Sequence, residues 1–323
     1  MKRELLEFLT CPNCDSDLEL RGEQLELDDV AAGELVCEND HAFPIVRSVP
    51  RFVPGDSYAD AFGLEWTAFR TAHLKQFTGL DYLDRQFQDC LDFDLSALAG
   101  KTVLDAGCGL GRFSEVVLNH GGKVVAVDLS RAIDAAHENL REREGIHFLQ
   151  ADIFRLPLKP EQFDLVYCWG VLHHTPDPPG AFNQLPQLVK PGGKLMAFVY
   201  ANYNKAYLAT TEFYRRLTTR LPQRLLLKLS YLAIPLYYVG KIPVAGPFIT
   251  RILLPVSVNP PTHRWRVGNT FDLYSPEYAF TYDHVDVHKW FEEAGFEQIR
   301  PVAPGGGIVY IGTKPPSGEI SWD

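Results

Sequence analysis

An aspartate and three alternating glycines form the stretch of the sequence that is best suited to hold a small charged ligand. The apolar run from Val103 ends in Asp105, and Gly107, Gly109 and Gly111 follow at every second position. Glycines allow positive backbone φ and close approach of a ligand, and the helical pattern that follows would offer its free amide groups. A glycine-rich turn on its own is also compatible with a tight turn that binds nothing.

The spacing of these glycines differs from that of a dinucleotide-binding turn. The latter reads G-x-G-x-x-G, whereas this chain reads D-x-G-x-G-x-G, so the third glycine comes one residue early. Asp128 ends a second apolar run, where it would accept hydrogen bonds from ribose hydroxyls, and Asp152 follows a third, where it would bind an adenine amino group. These residues indicate a nucleoside ligand. A nucleotide-dependent oxidoreductase is the alternative and would need a variant glycine spacing.

Strand-like and helical patterns alternate from Lys101 onward, which predicts a mostly parallel, doubly wound sheet. The strand-like runs read TVLDAG, KVVAVD, IHFLQAD, FDLVYCWG and KLMAFVY. The alternation stops near Asn204 and resumes with a helical pattern and two closing apolar runs, EQIRPVA and GGIVYIGTKP. Residues 101–323 are therefore predicted to form one α/β domain with a helical insertion at about 205–275.

Five motifs in this region resemble those of class I S-adenosylmethionine-dependent methyltransferases, in the same order and at similar intervals. They read VLDAGCGLGRF, VVAVDLS, QADIFRLPL, FDLVYCWGVLHHTPDP and LVKPGGKLMAFVY. The resemblance implies a Rossmann-like, seven-stranded sheet whose last strand runs antiparallel, and S-adenosylmethionine as the cofactor. Asp105 and the glycines would meet its methionine part, Asp128 its ribose and Asp152 its adenine. The cofactor-binding residues expected by this resemblance are Asp105, Gly107, Cys108, Gly109, Gly111, Asp128, Leu129, Asp152, Ile153 and Trp169.

Three cysteines and a histidine near the N-terminus have the spacing of a zinc site. Cys11 and Cys14 form a C-x2-C pair, and after 22 intervening residues Cys37 and His41 form a C-x3-H pair. Four nitrogen and sulfur ligands in two pairs suit tetrahedral zinc, which would stabilise a small unit with little core of its own. The other three cysteines are scattered singly, unlike the framework of a disulfide-rich secreted domain.

The pattern CPNC...CENDHAFPIVRSVPRF resembles the zinc-ribbon-like units of the Trm112 type and the zinc finger that opens a group of ribosomal RNA guanine methyltransferases. Many such units have a fourth cysteine where Asp40 stands here, so His41 is the favoured fourth ligand and Asp40 the alternative. A relic fold that binds no metal is the remaining interpretation. Residues 1–54 are in each case predicted to form a separate unit with a structural or docking role.

Two histidines after the fourth strand are the candidate general bases. Methyl transfer from a sulfonium is an in-line displacement, so orientation contributes most, and a hydroxyl acceptor must also lose a proton. His173 and His174 follow Trp169 closely enough to face the sulfonium, and a histidine can take a proton near neutral pH. The same sequence occurs in methyltransferases with different acceptors, so a role in shaping the pocket explains each histidine equally well.

Two further segments contain candidate substrate contacts. One group of side chains after the insertion suggests an anionic or hydroxylated substrate, with a polar loop closed by local ion pairs as the alternative. Its members are His263, Arg264, Arg266, Asp272 and Tyr274. Residues 55–100 are predicted to be a helical connector whose aromatic face either closes over the cofactor as a lid or packs on the sheet. That face comprises Tyr58, Phe62, Trp66 and Phe69.

The insertion is basic although the chain is acidic. Residues 205–260 carry a net charge of +7 in a chain of −10, which leaves −17 for the rest. The uncharged run from Leu229 to Gly240 is too short to span a bilayer, but it is suited to lie on a membrane surface or to cover an apolar substrate. A helical cap with solvated arginines is the alternative.

Two functional classes follow. The favoured one is an S-adenosylmethionine-dependent methyltransferase that acts on an oxygen of a small-molecule, glycan or lipid-linked acceptor, in the cytoplasm because no signal peptide is recognised. The alternative is an RNA methyltransferase that grips phosphates with the zinc unit and the insertion, although the acidic remainder and the lack of an N-P-P-Y motif disfavour it. Its phosphate contacts would be Arg215, Arg216, Arg220 and Arg224. A cofactor-binding scaffold activated by a partner is a third class, which the intact motif set disfavours.

Overall fold

A computed structural model describes residues 1–26, 29–53, 60–202, 204–302 and 307–316. The predicted boundary between the first two units at residues 54 and 55, the aromatic side chain of Tyr58, and the first residue of the last predicted strand, Gly306, lie outside the described residues. The division into units at residues 54 and 100 stays a prediction.

The N-terminal unit is a small antiparallel sheet preceded by a 3-10 helix at Arg3–Phe8. Its strands follow one another in space in sequence order: β1 (Leu18–Glu26), β2 (Asp29–Cys37), β3 (Ala42–Val46) and β4 (Val49–Pro50). Arg47 and Ser48 both adopt positive φ between β3 and β4, which matches the twist of a tight two-residue hairpin. The register from Leu18↔Cys37 to Glu26↔Asp29 brings the segment before β1 close to the end of β2.

A second sheet has seven strands in the order β10-β11-β9-β8-β5-β6-β7. The strands are β5 (Thr102–Ala106), β6 (Lys123–Asp128), β7 (Ile146–Gln150), β8 (Phe163–Trp169), β9 (Val189–Tyr200), β10 (Glu297–Val302) and β11 (Gly307–Thr313). β11 pairs antiparallel with both β9 and β10, and the pairs among β5 to β9 are parallel. The predicted doubly wound, seven-stranded α/β sheet with an antiparallel last strand is confirmed.

The helices fall into those that flank the sheet, those of the connector and those of the insertion. In the described part of the chain they are α1 (Asp60–Ala68), α2 (Lys75–Thr78), α3 (Tyr82–Gln88), α4 (Arg112–Asn119), α5 (Ala132–Leu140), α6 (Pro178–Phe182), α7 (Lys205–Thr218), α8 (Gln223–Ser230), α9 (Ala233–Val239), α10 (Ala245–Phe248), α11 (His263–Tyr274) and α12 (His284–Glu293). Short 3-10 helices lie at Leu95–Leu98, Ile153–Arg155, Leu172–His174 and Pro186–Leu188, and a π-helix follows α10 at Ile249–Leu253. No helix among the described residues combines the length and hydropathy that crossing a membrane requires.

Both faces of the large sheet are buried. Successive residues of a strand point to opposite faces, and in this sheet the residues of each face belong to an apolar cluster. In β5, Leu104 and Ala106 belong to one apolar cluster and Val103 to the other. In β6, Val125 and Val127 face the first cluster. This two-sided burial is the arrangement expected when helices cover a parallel sheet on both faces. It fixes the register of the strands and therefore the position of the loops at their carboxyl ends.

The N-terminal unit shares a core with the large sheet. Its residues Leu5, Leu9 and Ile45 belong to the same buried cluster as Leu149 in β7. The chain after β4 runs parallel to β7, with Phe52 N–H donating to Gln150 O at 2.8 Å, and the Arg51 guanidinium pairs with Asp134 in α5. The unit therefore covers the edge of the seven-stranded sheet that is formed by β7.

The insertion forms a helical cap held by α11. Helix α11 lies against the connector: Phe69 packs with Val267, and a Cβ atom added at Gly268 would lie only 3.3 Å from the ring of Phe69. Leu226 in α8 packs with Phe271 and Tyr274 of α11, and Leu64 of α1 joins the same cluster. Connector and insertion thus meet at α11, beside the carboxyl ends of the sheet strands.

Candidate functional site

A cavity of about 250 Å³ opens at the carboxyl ends of β5, β6, β8 and β9. Its loop end is lined by the glycine turn and the ends of β6 and β7, comprising Asp105, Gly107, Cys108, Gly109, Val127, Asp128, Leu129, Ala151 and Ile153. Its helix end is lined by side chains from α1, α4, β9, α11 and the turn after β8, comprising Phe62, Trp66, Arg112, His174, Tyr200, Asn269 and Asp272. This is the edge at which doubly wound sheets bind ligands.

The glycine turn requires its glycines for space as well as for backbone conformation. Gly107 has a φ of 89°, and a Cβ atom there would lie 2.2 Å from Cγ2 of Val171. Gly109 has a φ of 56°, and a Cβ atom there would lie 3.2 Å from Nε1 of Trp66. The backbone N–H groups of Gly107 and Cys108 both donate to Val127 O, so the turn is folded back over the end of β6. Larger residues would push the turn into the cavity.

The two acids of the loop end are hydrogen-bonded, Asp105 being buried and Asp128 partly buried. Asp105 accepts from the Ser114 hydroxyl at 2.6 Å, and burial raises the pKa of Asp105 to about 6. Asp128 accepts from Gly109 N–H at 2.9 Å and from the N–H and hydroxyl of Ser130 at 2.8 and 2.7 Å. Burial raises the pKa of Asp128 as well. Its carboxylate links the glycine turn to the loop that follows β6.

The third predicted acid lies beside the cavity. Asp152 accepts from Phe154 N–H at 3.0 Å and caps a 3-10 turn, while its neighbours Ala151 and Ile153 line the cavity. Leu129 joins them in an apolar slot, and Trp169 closes the opposite side with its ring stacked on Phe198 at 4.8 Å. An apolar slot beside a carboxylate suits a flat heterocycle. Cys108 and Gly111 complete the predicted set, the former lining the cavity and the latter forming the cap of α4.

The two candidate histidines differ in position. His174 lines the cavity, and its Nδ1 lies 2.7 Å from Tyr278 O. Because a carbonyl oxygen can only accept, Nδ1 carries the proton and Nε2 is left with a lone pair. Burial lowers the pKa of His174, which favours the neutral form. His173 is fully buried behind it, its ring 3.8 Å from that of Tyr200, and no hydrogen bond of its two nitrogens is found among the described residues.

The predicted polar group after the insertion is dispersed. Asp272 alone among its five members lines the cavity, where its carboxylate accepts from the Tyr200 hydroxyl at 3.2 Å. Arg266 donates to Pro260 O and lies 3.6 Å from the centre of the Tyr237 ring, and Tyr274 donates to Pro255 O. His263 is exposed, and Arg264 approaches Ala68 O at 3.5 Å. The expected cluster of two guanidinium groups, an acid and a phenol is not formed.

Several cavity residues were missed from the sequence. Arg112 begins α4 directly after the glycine turn, and its guanidinium lies 5.9 Å from the Trp66 ring and 4.9 Å from the Phe113 ring. Tyr200 ends β9, and Asn269 comes from α11. Their side chains converge only in three dimensions, so no local spacing connects them. The predicted aromatic face of the connector does line the cavity, through Phe62 and Trp66.

The N-terminal cysteines and histidine converge as their spacing predicts. The ligand atoms of Cys11, Cys14, Cys37 and His41 all lie within 4.8 Å of one another. The sulfurs of Cys14 and Cys37 are 3.7 Å apart, and the three sulfurs lie 3.3 to 3.6 Å from His41 Nδ1. A tetrahedron with zinc–sulfur bonds of about 2.3 Å and a zinc–nitrogen bond of about 2.0 Å has edges of roughly 3.8 and 3.6 Å. The four side chains therefore fit zinc, and Asp40 is exposed and outside the group.

Two family models match separate stretches of the chain. Residues 2–48 match the Trm112p-like protein family, and residues 104–197 match the Methyltransferase domain family. The chain is also 36% identical over 140 residues to a Ubiquinone biosynthesis O-methyltransferase of Coxiella burnetii, covering 43% of this chain and 56% of that protein. A protein of the same name from Pseudomonas entomophila is 36% identical over 115 residues, 35% of this chain and 50% of that one. The chain thus spans about half the length of the curated relatives it matches.

Solved structures give similarities of lower identity. An O-methyltransferase family protein from Burkholderia thailandensis gives a TM-score of 0.47 at 15% identity over 78% of this chain and 60% of that chain. A complex between the Haloferax volcanii Trm112 methyltransferase activator and a methyltransferase gives 0.46 at 14% identity over 80% and 99%. The family matches and the strand order together show that the chain contains a class I methyltransferase domain preceded by a Trm112p-like unit.

Proposed function

We propose that this protein is an S-adenosylmethionine-dependent methyltransferase that methylates an oxygen of a small-molecule acceptor. The observation that carries the proposal is the loop end of the cavity, where the glycine turn is tied by Asp128 to the end of β6 inside the matched methyltransferase domain. The names of the matched relatives support oxygen as the methyl acceptor. The bound cofactor would supply a methyl group activated by the positive charge of its sulfur.

The loop end has the donor set that this cofactor needs. Asp128 is assigned to the ribose and the slot formed by Leu129 and Ile153 to the adenine, with Asp152 following directly after β7 beside that slot. Asp105 and the glycine turn are assigned to the methionine part, whose amino and carboxylate groups match a carboxylate and a helix amino end. Trp169 and the helix end line the rest of the cavity, where the methyl acceptor would bind.

His174 is assigned as the general base and His173 as packing behind it. Only the ring of His174 reaches the cavity, and its Nε2 lone pair is free to accept a proton from a hydroxyl. The neighbouring carboxylate of Asp272 would stabilise the imidazolium that results, because it acts to raise the pKa of His174 against the effect of burial. Trp169 and Phe62 limit the access of water to this end.

The Trm112p-like unit is assigned a structural zinc ion bound by Cys11, Cys14, Cys37 and His41. All four ligand positions of a tetrahedral ion would come from protein side chains, as in structural rather than catalytic zinc sites. The unit packs against β7 at the edge of the large sheet. Its role is to hold the sheet edge, not to take part in the methyl transfer.

The insertion is assigned the role of binding an anionic lipid surface, from which a lipid-linked acceptor would enter the cavity. Large apolar side chains of α7 to α9 are exposed, including Phe213, Leu217, Leu229 and Tyr238. Seven exposed cations share this segment, namely Lys205, Arg216, Arg220, Arg224, Lys228, Lys241 and Arg251. Exposed apolar groups beside cations suit a negatively charged membrane surface, whereas the acidic remainder of the chain would be repelled by it.

RNA stays the alternative acceptor. One of its four predicted phosphate contacts is lost, because Arg215 is buried and donates to the backbone oxygens of Leu273, Pro276 and Glu277. Arg216, Arg220 and Arg224 are exposed. Methylated RNA in the experiment below would select this alternative.

The test separates the cofactor from the acceptor. Titration calorimetry should detect S-adenosylmethionine and S-adenosylhomocysteine but no nicotinamide dinucleotide; binding of the dinucleotide alone would refute the proposal. Extracts incubated with the protein and methyl-labelled S-adenosylmethionine should then yield labelled material in the small-molecule or lipid fraction by mass spectrometry. Label confined to RNA would contradict the proposed acceptor and leave the cofactor assignment in place.

A further inference from the structure

Two loops of the cavity are held from behind by side-chain amides. Gln150, the last residue of β7, is 7% exposed, and its Nε2 donates to Leu129 O at 2.9 Å. Asn139 in α5 donates from Nδ2 to Leu110 O at 3.1 Å. Leu129 follows β6, Leu110 belongs to the glycine turn, and both line the cavity. The two amides therefore hold the backbone of the loops to which the adenine and the methionine part of the cofactor are assigned.

Each amide is in turn bonded to an arginine from the N-terminal part of the chain. Arg51, which follows β4, donates to Gln150 Oε1 at 3.1 Å. Arg70, which follows α1 in the connector, donates to Asn139 Oδ1 at 3.1 Å, and Asn139 Nδ2 donates back to Arg70 O at 3.1 Å. Two hydrogen-bonded networks, each from an arginine through an amide to a loop carbonyl, thus connect the N-terminal unit and the connector with the cavity.

The arginine fixes the direction in which each amide faces. A guanidinium can only donate and a carbonyl oxygen can only accept, so an amide turned by 180° would lose its hydrogen bonds on both sides. Arg51 is itself held, because its side chain is 11% exposed, donates to Val46 O at 3.3 Å and pairs with Asp134 of α5. Arg70 pairs with Glu138 of α5 at 3.2 Å. The N-terminal unit and the connector therefore determine how the amides meet the two loops.

We propose that Gln150 and Asn139 are positioning residues for the cofactor, and that Arg51 and Arg70 extend the cofactor site to the N-terminal unit and the connector. Gln150 fixes the loop that forms the adenine slot, and Asn139 fixes the turn assigned to the methionine part. Neither amide is among the side chains that line the cavity, so each acts through the backbone that it holds. This inference depends on the proposed function, because it takes the two loops to bind S-adenosylmethionine.

The first test separates positioning from stability. Gln150→Glu keeps the acceptor for the guanidinium but loses the donor to the loop carbonyl, so S-adenosylhomocysteine should bind about tenfold more weakly by calorimetry. The matched control is Gln88→Glu. Gln88 donates to Phe93 O and accepts from Leu95 N–H, both at 2.9 Å, and none of these three residues lines the cavity. The control should lower the melting temperature but leave the affinity unchanged. Equal losses of affinity in both variants, or none in Gln150→Glu, would overturn the proposal.

The second test assigns each amide to one part of the cofactor. The probes are S-adenosylhomocysteine and 5′-methylthioadenosine, which keeps the adenosine but lacks the amino-acid part. Gln150→Glu should weaken the binding of both probes by the same factor. Asn139→Asp, which loses its donor to the glycine turn, should weaken S-adenosylhomocysteine about tenfold and 5′-methylthioadenosine much less. An equal effect of Asn139→Asp on the two probes would overturn its assignment to the methionine part.

The third test examines the outer link of the Gln150 network. Arg51→Gln should reproduce most of the loss of affinity seen in Gln150→Leu. The double variant should bind S-adenosylhomocysteine no more weakly than Gln150→Leu alone, because an arginine has no orienting effect once the amide is gone. A further loss in the double variant would show that Arg51 acts by another route and would overturn the network.

These outcomes also separate the inference from the proposed function. If the wild-type protein binds S-adenosylhomocysteine and the amide variants bind it equally well, the positioning role is wrong and the cofactor assignment stands. If the wild-type protein does not bind S-adenosylhomocysteine, the proposed function itself fails.

Discussion

The two ends of the cavity differ in how their polar groups are satisfied. At the loop end, both carboxylates are hydrogen-bonded: Asp105 to Ser114, and Asp128 to Gly109 and Ser130. At the helix end, His174 and Asp272 are hydrogen-bonded, but Arg112 has no hydrogen bond within the part of the chain that the structure describes. The same holds for Glu65, a fully buried acid of α1 that is not among the side chains lining the cavity. Groups whose hydrogen bonds are already formed are preorganised for a ligand. A buried polar group without a hydrogen bond instead destabilises the folded protein, and a ligand that bonds to it can recover that free energy.

This difference follows from how each end is built. The loop end consists of consecutive strand ends and the turns directly after them, so its hydrogen bonds join near neighbours of one sheet. The helix end is assembled from α1, α11 and the start of α4, which come from the connector, the insertion and the glycine turn. We expect substitutions at the loop end to impair folding and binding together, and those at the helix end to impair function alone.

The largest effect is expected at the helix end. His174→Gln should lower kcat by about 10² to 10⁴-fold while leaving the melting temperature nearly unchanged, because glutamine can still donate to Tyr278 O. Initial rates with methyl-labelled S-adenosylmethionine and the identified acceptor measure this. A matching loss of rate in His173→Gln would show that the buried histidine takes part, contrary to its assignment.

The pH profile sharpens the same prediction. Burial lowers the pKa of His174 below 6.5, so the imidazole is neutral and able to accept a proton at pH 7. The rate of the wild-type enzyme should therefore fall only as the pH drops through that lowered value, and it should be level between pH 7 and 8. His174→Gln should lose this acidic decline. An acidic decline that persists in the variant would assign the base elsewhere.

The second largest effect is expected outside the cavity, at the cluster of three cysteines and a histidine in the N-terminal unit. Cys37→Ser should release zinc and lower the free energy of unfolding by on the order of 4 kcal/mol, since a structural metal contributes directly to folding. Elemental analysis and thermal unfolding measure the two changes. The control is Cys90→Ala, which removes another buried cysteine, distant in sequence from the cluster, and should leave the zinc content unchanged. Full zinc retention in Cys37→Ser would refute the ligand set.

The sequence predicted the loop end well because its signals are local. Asp105, the glycines and Asp128 occur within one strand–turn–helix–strand segment, and each type is required by its position, as the 2.2 Å approach of a Gly107 Cβ to Val171 shows. The mostly parallel, doubly wound sheet was equally accessible, because apolar runs alternate with helical patterns along the chain, whereas the order of its strands was not predicted. The convergence of Cys11, Cys14, Cys37 and His41 also agrees with their spacing in the sequence.

The helix end could not be predicted in the same way. Polar residues near each other in sequence, such as Arg264 and Arg266, have different partners, whereas Glu65 and Asp272 are 207 positions apart and close enough for their charges to repel. One signal was available: an acid at the third position after Phe62, on a face that is otherwise aromatic. A charge within an apolar helix face indicates either a buried partner or a functional site.

An intermediate effect is expected at the loop end. Asp128→Asn keeps the size of the side chain but replaces an acceptor-only carboxylate, which accepts from Gly109 and Ser130, by an amide. We expect about a hundredfold loss of affinity for S-adenosylhomocysteine by calorimetry, together with a lower melting temperature. The control is Asp164→Asn. Asp164 lies near the amino end of β8, whereas the cavity lies at the carboxyl ends of the strands, so this variant should bind S-adenosylhomocysteine with unchanged affinity. If Asp128→Asn lost affinity but kept the wild-type melting temperature, the expectation that loop-end substitutions impair folding and binding together would be wrong.

The smallest effect is expected on the outer surface of the insertion. Phe213 and Leu217 are 61% and 55% exposed on one face of α7, so replacing both by serine removes apolar area that the fold does not use. Because inserting such side chains into a lipid interface contributes a few kcal/mol at most, binding to vesicles of phosphatidylglycerol and phosphatidylcholine should weaken about tenfold. Val285→Ser on α12, which is 77% exposed but distant in sequence from the insertion, is the matched control. Sedimentation with vesicles measures the bound fraction, and equal binding of all three proteins would exclude the insertion as the lipid contact while leaving the assignments at both ends of the cavity intact.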